Sequence, residues 1–414
     1  MKRYDLILDE PDRVYFSGDD VKGHVAVCLD TNLTVQGITI RLIGEACIAV
    51  PDNFKTTRTV GRRKPFNNKI SPSPAVHGER PPRRLGQTNT LFRQDKVYRF
   101  SATERYFHFK EYLFGHKYSS FKEQLWKGSH TFPFQYKLPA QLPSSFNGRF
   151  GFIRYYCESS LERWQSKDTK RVYFSVSSFT DINNVSKADC SSADEKCTNS
   201  CFFCVPRGTI IASCEIKHRG FACGETANIT VDIHNMSNND VIKTTASIIQ
   251  TVTYSCSQNL RHQENERTVL SHEMNAVPQG ESEHTVVKLK IPPLPPSSIS
   301  QDICKLIQIH YRFEIGMDMH EAKERLVLQM PLVVGNIPLR KNFENLENES
   351  IYKYEKQFFI PFRLHKQRGL PQVWSEPSEV PEAEECVYEC NDFHPAYPYY
   401  REKSKPILPK ETNV

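Results

Sequence analysis

Three stretches of this 414-residue chain carry side chains suited to binding metal, anions or cations. The first is Cys201-Phe202-Phe203-Cys204, which has the C-x-x-C spacing of a zinc or redox pair, with Cys190, Cys197 and Cys214 close by. A structural zinc site wants a second clean pair or histidines at a standard spacing, and these neighbours are irregularly placed. No metal is therefore expected, and the cysteines read as ordinary buried thiols, with S-acylation of Cys201 and Cys204 as the alternative. The second stretch is residues 51–110, where fourteen Lys and Arg face four Asp and Glu, a larger positive surplus than the +6 of the whole chain. Within it Arg58, Arg62, Arg63, Lys64, Arg83 and Arg84 are the candidate contacts for anionic lipid or a phosphorylated cargo tail. A single-sign block is commonly an interaction segment, and each Lys or Arg near an anionic surface contributes about 1 kcal/mol. The competing reading is a solvated loop. The third stretch, residues 369–400, has the opposite sign, with seven Asp and Glu and no Lys or Arg. Such a tail could fold back and mask the basic loop, or act as a plain acidic spacer.

Nothing in the sequence resembles a catalytic constellation: it has no phosphate-cradling glycine loop, no G-x-S-x-G elbow and no H-E-x-x-H. The 14 histidines are scattered singly. The expectation is a non-enzymatic protein without a cofactor. Aromatic and basic residues do interleave over 98–117, a pattern that suits stacking on single-stranded nucleic acid. Tyr98-Arg99-Phe100 and Tyr106-Phe107-His108-Phe109 read better as strands with one face in a core, so no nucleic-acid partner is expected.

The sequence around these stretches reads as strands. Val, Ile, Thr and aromatics recur in short runs separated by Gly and Pro, and helical periodicity is absent over windows of about 15 residues. The first nine residues enter an alternating strand directly, without the apolar core of a secretion signal. No apolar run of about 18 residues spans a membrane. Thirteen cysteines, an odd number at irregular spacing, suit free thiols in a reducing compartment. The chain reads as soluble and cytoplasmic, and its length predicts two domains plus an extension.

An internal repeat supports two similar domains. Phe16-Ser17-Gly18-Asp19 followed by Val25 and Val27 is matched, at a constant offset, by Ala222-Cys223-Gly224-Glu225 followed by Val231 and Ile233. Further on, Lys137-Leu138-Pro139 with Leu142-Pro143-Ser144-Ser145 matches Lys290-Ile291-Pro292 with Pro295-Pro296-Ser297-Ser298, and each leads into an aromatic strand. Glycine permits a left-handed turn, and Pro-Ser-Ser ends one strand and crosses over. The predicted organisation is a β-sandwich over 1–180 with a basic insertion at about 51–97, and a Cys-rich hinge over 181–205. A second β-sandwich over 206–340 and an acidic, Pro/Tyr-containing tail over 341–414, disordered until something binds it, complete it.

These residues resemble the arrestin fold in its α-arrestin, arrestin-domain-containing branch. The resemblance rests on Phe132-Pro133-Phe134-Gln135-Tyr136-Lys137-Leu138-Pro139, Leu142-Pro143-Ser144-Ser145-Phe146-Asn147-Gly148 and Ile153-Arg154-Tyr155-Tyr156. It extends to Tyr15-Phe16-Ser17-Gly18-Asp19 near the start and to Pro331-Leu332-Val333-Val334-Gly335-Asn336-Ile337-Pro338-Leu339 near residue 340. It implies an all-β protein of two arrestin-type, Ig-like sandwiches in tandem. It also implies an adaptor that binds cytoplasmic tails of membrane proteins and recruits sorting or ubiquitylation machinery at the plasma membrane or endosomes. Family members typically carry Pro-Pro-x-Tyr in the tail, a preformed ligand for the WW domains of HECT-type ubiquitin ligases. Here the nearest approach is His394-Pro395-Ala396-Tyr397, so Pro395 and Tyr397 are the candidate, degenerate WW-binding residues. Without the first Pro ring, binding should be weaker. The alternative is a ligase-independent sorting scaffold resembling the arrestin-fold subunit of retromer.

Overall fold

A computed structural model describes residues 1–51, 98–115, 123–202, 205–256, 261–300, 303–320, 325–343 and 393–400. Residues 3–177 supply β1 (Arg3–Leu8), β2 (Val14–Phe16), β3 (Asp20–Leu29), β4 (Leu33–Val35), β5 (Gly37–Pro51) and β6 (Tyr98–Gly115). They continue with β7 (Glu123–Leu125), β8 (Gly128–Lys137), β9 (Phe146–Gly148), β10 (Gly151–Glu162) and β11 (Lys167–Ser177). One sheet has the order β1-β3-β8 and the other β2-β11-β10-β5-β6, with β9 alongside β10; β4 and β7 form a separate pair. The alternation that predicted strands sorts the core: Val21, Val25, Val27 and Leu29 of β3 point inward and are buried against the facing sheet.

A 3-10 turn at Ile182–Asn184 leads to β12 (Ser192–Phe202), β13 (Val205–Ile216), β14 (Gly220–Ala222), β15 (Thr226–Ser237) and β16 (Val241–Cys256). The second sandwich is completed by β17 (Arg261–Met274), β18 (Ser282–Lys290), β19 (Ile307–Met319) and β20 (Leu326–Gly335). Its sheets run β12-β13-β15-β18 and β14-β20-β19-β16-β17. The fold is all-β, two sandwiches in tandem. One expectation is corrected here: the second part of the presumed hinge, from Ser192 onward, is strand, because β12 pairs antiparallel with β13 from Ser192↔Ile216 to Phe202↔Val205. It is an edge strand whose Ala193, Glu195, Lys196 and Cys197 are exposed, so it lacks the apolar alternation that marks a half-buried strand.

The two halves repeat the same hydrogen bonds, with the crossovers shifted one residue from the sequence match, so that Pro143 is equivalent to Pro295 and Ser145 to Ser297. Gly18 and Gly224 both have positive φ, 86° and 97°, and close equivalent turns. Phe16 N–H donates to the Asp19 carboxylate at 3.0 Å, as Ala222 N–H does to Glu225 at 2.6 Å. Gly18 N–H reaches Pro139 O, and Gly224 N–H reaches Ile291 O. At the crossovers the buried Tyr155 hydroxyl donates to Pro143 O at 2.7 Å and the Tyr311 hydroxyl to Pro295 O at 2.8 Å. Ser145 exchanges hydrogen bonds with Val176, as Ser297 does with Val334. In each sandwich the turn strand then runs parallel to the last strand, β2 along β11 and β14 along β20.

These turns and crossovers bring the sandwiches together. Asn336 N–H donates to Thr180 O and its side-chain amide to Ser177 Oγ at 2.8 Å. Phe150 meets Tyr254 edge to face at 5.6 Å, and one apolar core runs through both halves. The result is a seam lined by both crossovers, the Cys223-Gly224 turn and the end of β20.

Candidate functional site

The seam is occupied by the chain's own tail. Residues 393–400, Phe-His-Pro-Ala-Tyr-Pro-Tyr-Tyr, lie across it as an extended strap in which Pro395, Tyr397, Pro398 and Tyr399 are buried. Its first anchor is on the N-terminal sandwich: the Phe393 ring stacks on Tyr173 with centroids 5.3 Å apart, and Phe393 O accepts from Asn147 Nδ2 at 2.7 Å. Asn147 is held in turn by Arg154, whose Nε donates to its Oδ1 at 3.1 Å. Ala396 N–H donates to Ser175 Oγ at 2.9 Å, and the Tyr397 hydroxyl donates to Ser145 O at 3.0 Å. The strap then passes to the second sandwich. Tyr400 N–H donates to Cys223 O at 2.9 Å and its hydroxyl to Asn336 O at 2.5 Å, while Lys290 Nζ stands 5.9 Å from the Tyr399 ring centroid.

Proline suits this position because an extended strap crossing loops and strand ends has few ladder partners to lose, and its fixed φ lowers the entropy of ordering. Aromatic side chains add large buried area with few rotatable bonds. Burial pushes the Tyr397 phenol well above its ordinary value, against the smaller opposing effect of Arg267. The site offers carbonyl acceptors, one amide and one hydroxyl, a set that holds an extended, neutral, tyrosine-bearing segment of the chain itself.

Beside the strap anchor, the outward face of β10 carries a buried ion cluster. Glu158 receives Arg171 Nη2 at 2.7 Å on one oxygen and Arg41 on the other, with Arg171 over the Tyr156 ring at 4.4 Å. Burial alone would raise the Glu158 carboxyl, but the hydrogen bond from Arg171 and the charge of Arg41 hold it below its ordinary value. The alternation of β10 puts Arg154, Tyr156 and Glu158 on this face and Tyr155 in the core.

The structure treats the sequence candidates unequally. Pro395 and Tyr397, the candidate degenerate WW-binding residues, are in the strap, where both side chains are buried and Tyr397 is only 3% exposed. Residues 393–400 form no helix or strand, and this chain itself seats them. Arg58, Arg62, Arg63, Lys64, Arg83 and Arg84 lie outside the described residues, as does Cys204; Cys201 stands near the end of β12. Among the described residues no cluster of three His, Cys, Asp or Glu could hold a metal, and no helix is long and apolar enough to cross a membrane. Phe393, Tyr399 and Tyr400 were not singled out from sequence, although four aromatics within eight residues of an acidic tail were the available signal.

The internal repeat supplies a controlled test of the strap. A Cβ on Gly224 would stand against the Tyr400 carbonyl, whereas one on Gly18 would meet nothing within 4 Å. Both substitutions carry the left-handed strain of about 1–2 kcal/mol. Gly18→Ala should show that cost alone in urea unfolding. Gly224→Ala should in addition free the tail to proteases; equal tail cleavage in the two variants would contradict the seat described for Tyr400.

Two strapped sandwiches with equivalent turns, crossovers and parallel closing strands define an arrestin-type protein. The family model for the N-terminal domain of arrestin (or S-antigen) matches residues 4–183, and that for its C-terminal domain matches residues 206–339. Similar proteins include arrestin domain-containing protein 17 of Caenorhabditis elegans, 27% identical over 82% of this chain and 71% of its own length. Arrestin domain-containing protein 1 of Rattus norvegicus is 29% identical over 53% of the chain and 49% of its own length. Arrestin domain-containing protein 4 of Mus musculus is 33% identical over 51% and 50%. The chain thus spans about half the length of the last two. It belongs to the arrestin-domain-containing, or α-arrestin, family of arrestin-like adaptors.

Proposed function

We propose that the chain is a non-enzymatic adaptor in intracellular protein transport. It works in the cytoplasm and is recruited peripherally to the plasma membrane or endosomes. The sandwich surfaces bind cytoplasmic tails of membrane proteins, with strand edges supplying register. The basic residues Arg58, Arg62, Arg63, Lys64, Arg83 and Arg84 supply charge complementarity to anionic lipid or phosphorylated cargo. The observation that carries the link to sorting and ubiquitylation machinery is the strap: the tail segment seated in the seam is the one with the Pro-x-Tyr spacing. When it leaves the seam, Pro395 and Tyr397 become available to a WW domain of a HECT-type ligase. The burial of those same residues favours a second reading, a ligase-independent sorting scaffold resembling the arrestin-fold subunit of retromer, in which the strap only joins the sandwiches.

Tagged full-length protein purified from cells separates the two. The double variant Phe393→Ala/Tyr400→Ala removes the side-chain part of both flanking anchors, the Phe393 ring on Tyr173 and the Tyr400 hydroxyl on Asn336, and keeps Pro395, Ala396 and Tyr397. The adaptor reading expects membrane cargo with every form, more ligase with the double variant than with wild type, and loss of that ligase when Tyr397→Ala is added. Cargo with no ligase in any form would leave the scaffold reading standing.

A further inference from the structure

Two of the strap's hydroxyls meet carbonyl acceptors: Tyr397 donates to Ser145 O at 3.0 Å and Tyr400 to Asn336 O at 2.5 Å. Tyr397 is 3% exposed, lies between the Ser145 crossover of one sandwich and the Cys223 turn of the other, and has Arg267 as the positive charge it feels. Arg267 is itself engaged, donating Nε to Gln250 Oε1 at 2.6 Å, and Gln250 Nε2 donates to the Tyr311 hydroxyl at 2.8 Å. A phosphoryl group on Tyr397 would replace a donor by three acceptor oxygens and nearly two negative charges. Those oxygens would stand against the Ser145 carbonyl, an acceptor with no proton to offer them. Burial outweighs Arg267 for the single charge of a phenolate, and a doubly charged group fares worse.

We infer that Tyr397 is a tyrosine-phosphorylation site that is exclusive with the closed strap: the seam reads unmodified tyrosine, and the phosphorylated strap stays out. The donor is a nucleoside triphosphate in a tyrosine kinase. The phenolic oxygen forms the new bond to the γ-phosphorus, and the bond from that phosphorus to the nucleoside diphosphate breaks. The phenolic proton passes to the kinase's base. Because the acceptor oxygen is buried, transfer occurs from the open strap, and the product then prevents reclosing. The inference rests on the proposed function only for what an open strap recruits.

The test uses the full chain in two arms. In the first, wild type and Phe393→Ala/Tyr400→Ala are exposed to a purified tyrosine kinase with MgATP, and incorporation at Tyr397 is followed by site-resolved mass spectrometry. The double variant should be modified at least about tenfold faster, since loss of even one hydrogen-bonded anchor is worth about that factor. In the second arm, phosphotyrosine is installed at position 397 during translation, and hydrogen exchange is read at the Ala396 and Tyr400 amides. Wild type should be protected, and Tyr397→Phe should keep protection weakened by up to about tenfold. The phosphorylated chain should exchange as fast as the double variant. Equal modification rates, or amides that stay protected with phosphotyrosine in place, would overturn the inference. No ligase is present in either arm. Failure here with ligase capture intact therefore rejects the switch alone, and the converse rejects the adaptor link alone.

Discussion

Replacing Tyr397 with alanine is expected to open the strap and expose the tail to chymotrypsin at Tyr399 and Tyr400. Truncating a buried aromatic costs about 3–5 kcal/mol when the site cannot collapse around it. The seam cannot collapse here, because its walls are the Ser145 crossover and the Cys223 turn, each fixed by its own sandwich. An eight-residue segment joined to the body by hydrogen bonds at Asn147, Ser175, Ser145, Cys223 and Asn336 has little surplus to absorb that loss. At tenfold per 1.4 kcal/mol, the closed fraction should fall by about 100-fold or more. Intact-mass analysis of a timed digest checks this. The strand signal in far-UV circular dichroism should be unchanged, because the sheets do not include the strap. Cleavage at the wild-type rate would mean that Tyr397 does not anchor the segment.

Glu158→Ala should be among the most damaging single changes in the first sandwich, at about 3 kcal/mol. The gain does not come from the ion cluster being favourable in itself, since burying charges offsets much of their attraction. It comes from what remains: Arg41 and Arg171 left facing one another with no carboxylate between them. Glu158→Gln, which keeps shape and one acceptor, should fall between wild type and alanine. The pH dependence follows from the sign of the shift. The Glu158 carboxyl is held below its unfolded value, so its contribution is complete above the ordinary carboxylate range and is lost as pH falls through the folded pKa. The stability gap between wild type and Glu158→Ala in urea unfolding should therefore be full near neutrality and close on acidification. A gap that stayed constant into the acid range would show that the loss is one of packing alone. Arg154, two pleats from Glu158 on the same face, holds Asn147 and so the first strap anchor, which couples this face to the seam.

Much of the fold was legible because its signals are local. The glycine turns at Gly18 and Gly224 and the two Pro-Ser-Ser crossovers state their backbone needs in single residues, and the long central strands alternate in two-residue steps. Two things escaped for definite reasons. Strand β12 lies at an edge with polar outward residues, so neither face writes a hydrophobic pattern, and its cysteines drew attention to metal chemistry instead. The strap escaped because an eight-residue aromatic cluster sits in a segment whose average composition is acidic and proline-rich. Composition over about 30 residues describes a solvated tail, while the docking depends on which hydroxyl meets which carbonyl across a gap of some 250 positions in sequence. His394 to Tyr397 could be read as a ligand from its spacing; that the chain itself supplies the receptor could not.

If the seam between the sandwiches is a binding site filled by residues 393–400, a copy of that segment added in trans should occupy it once the native one is gone. Tethering raises the local concentration of the native segment to about the millimolar range, so a free copy competes poorly until the tether is cut. A fluorescent peptide spanning residues 391–403 should bind saturably to a chain ending at residue 390, should bind far more weakly to the full-length chain, and should lose affinity when its Tyr397 equivalent is alanine. Failure to bind the shortened chain, or equal binding to both chains, would mean that the seam is not a site for this segment.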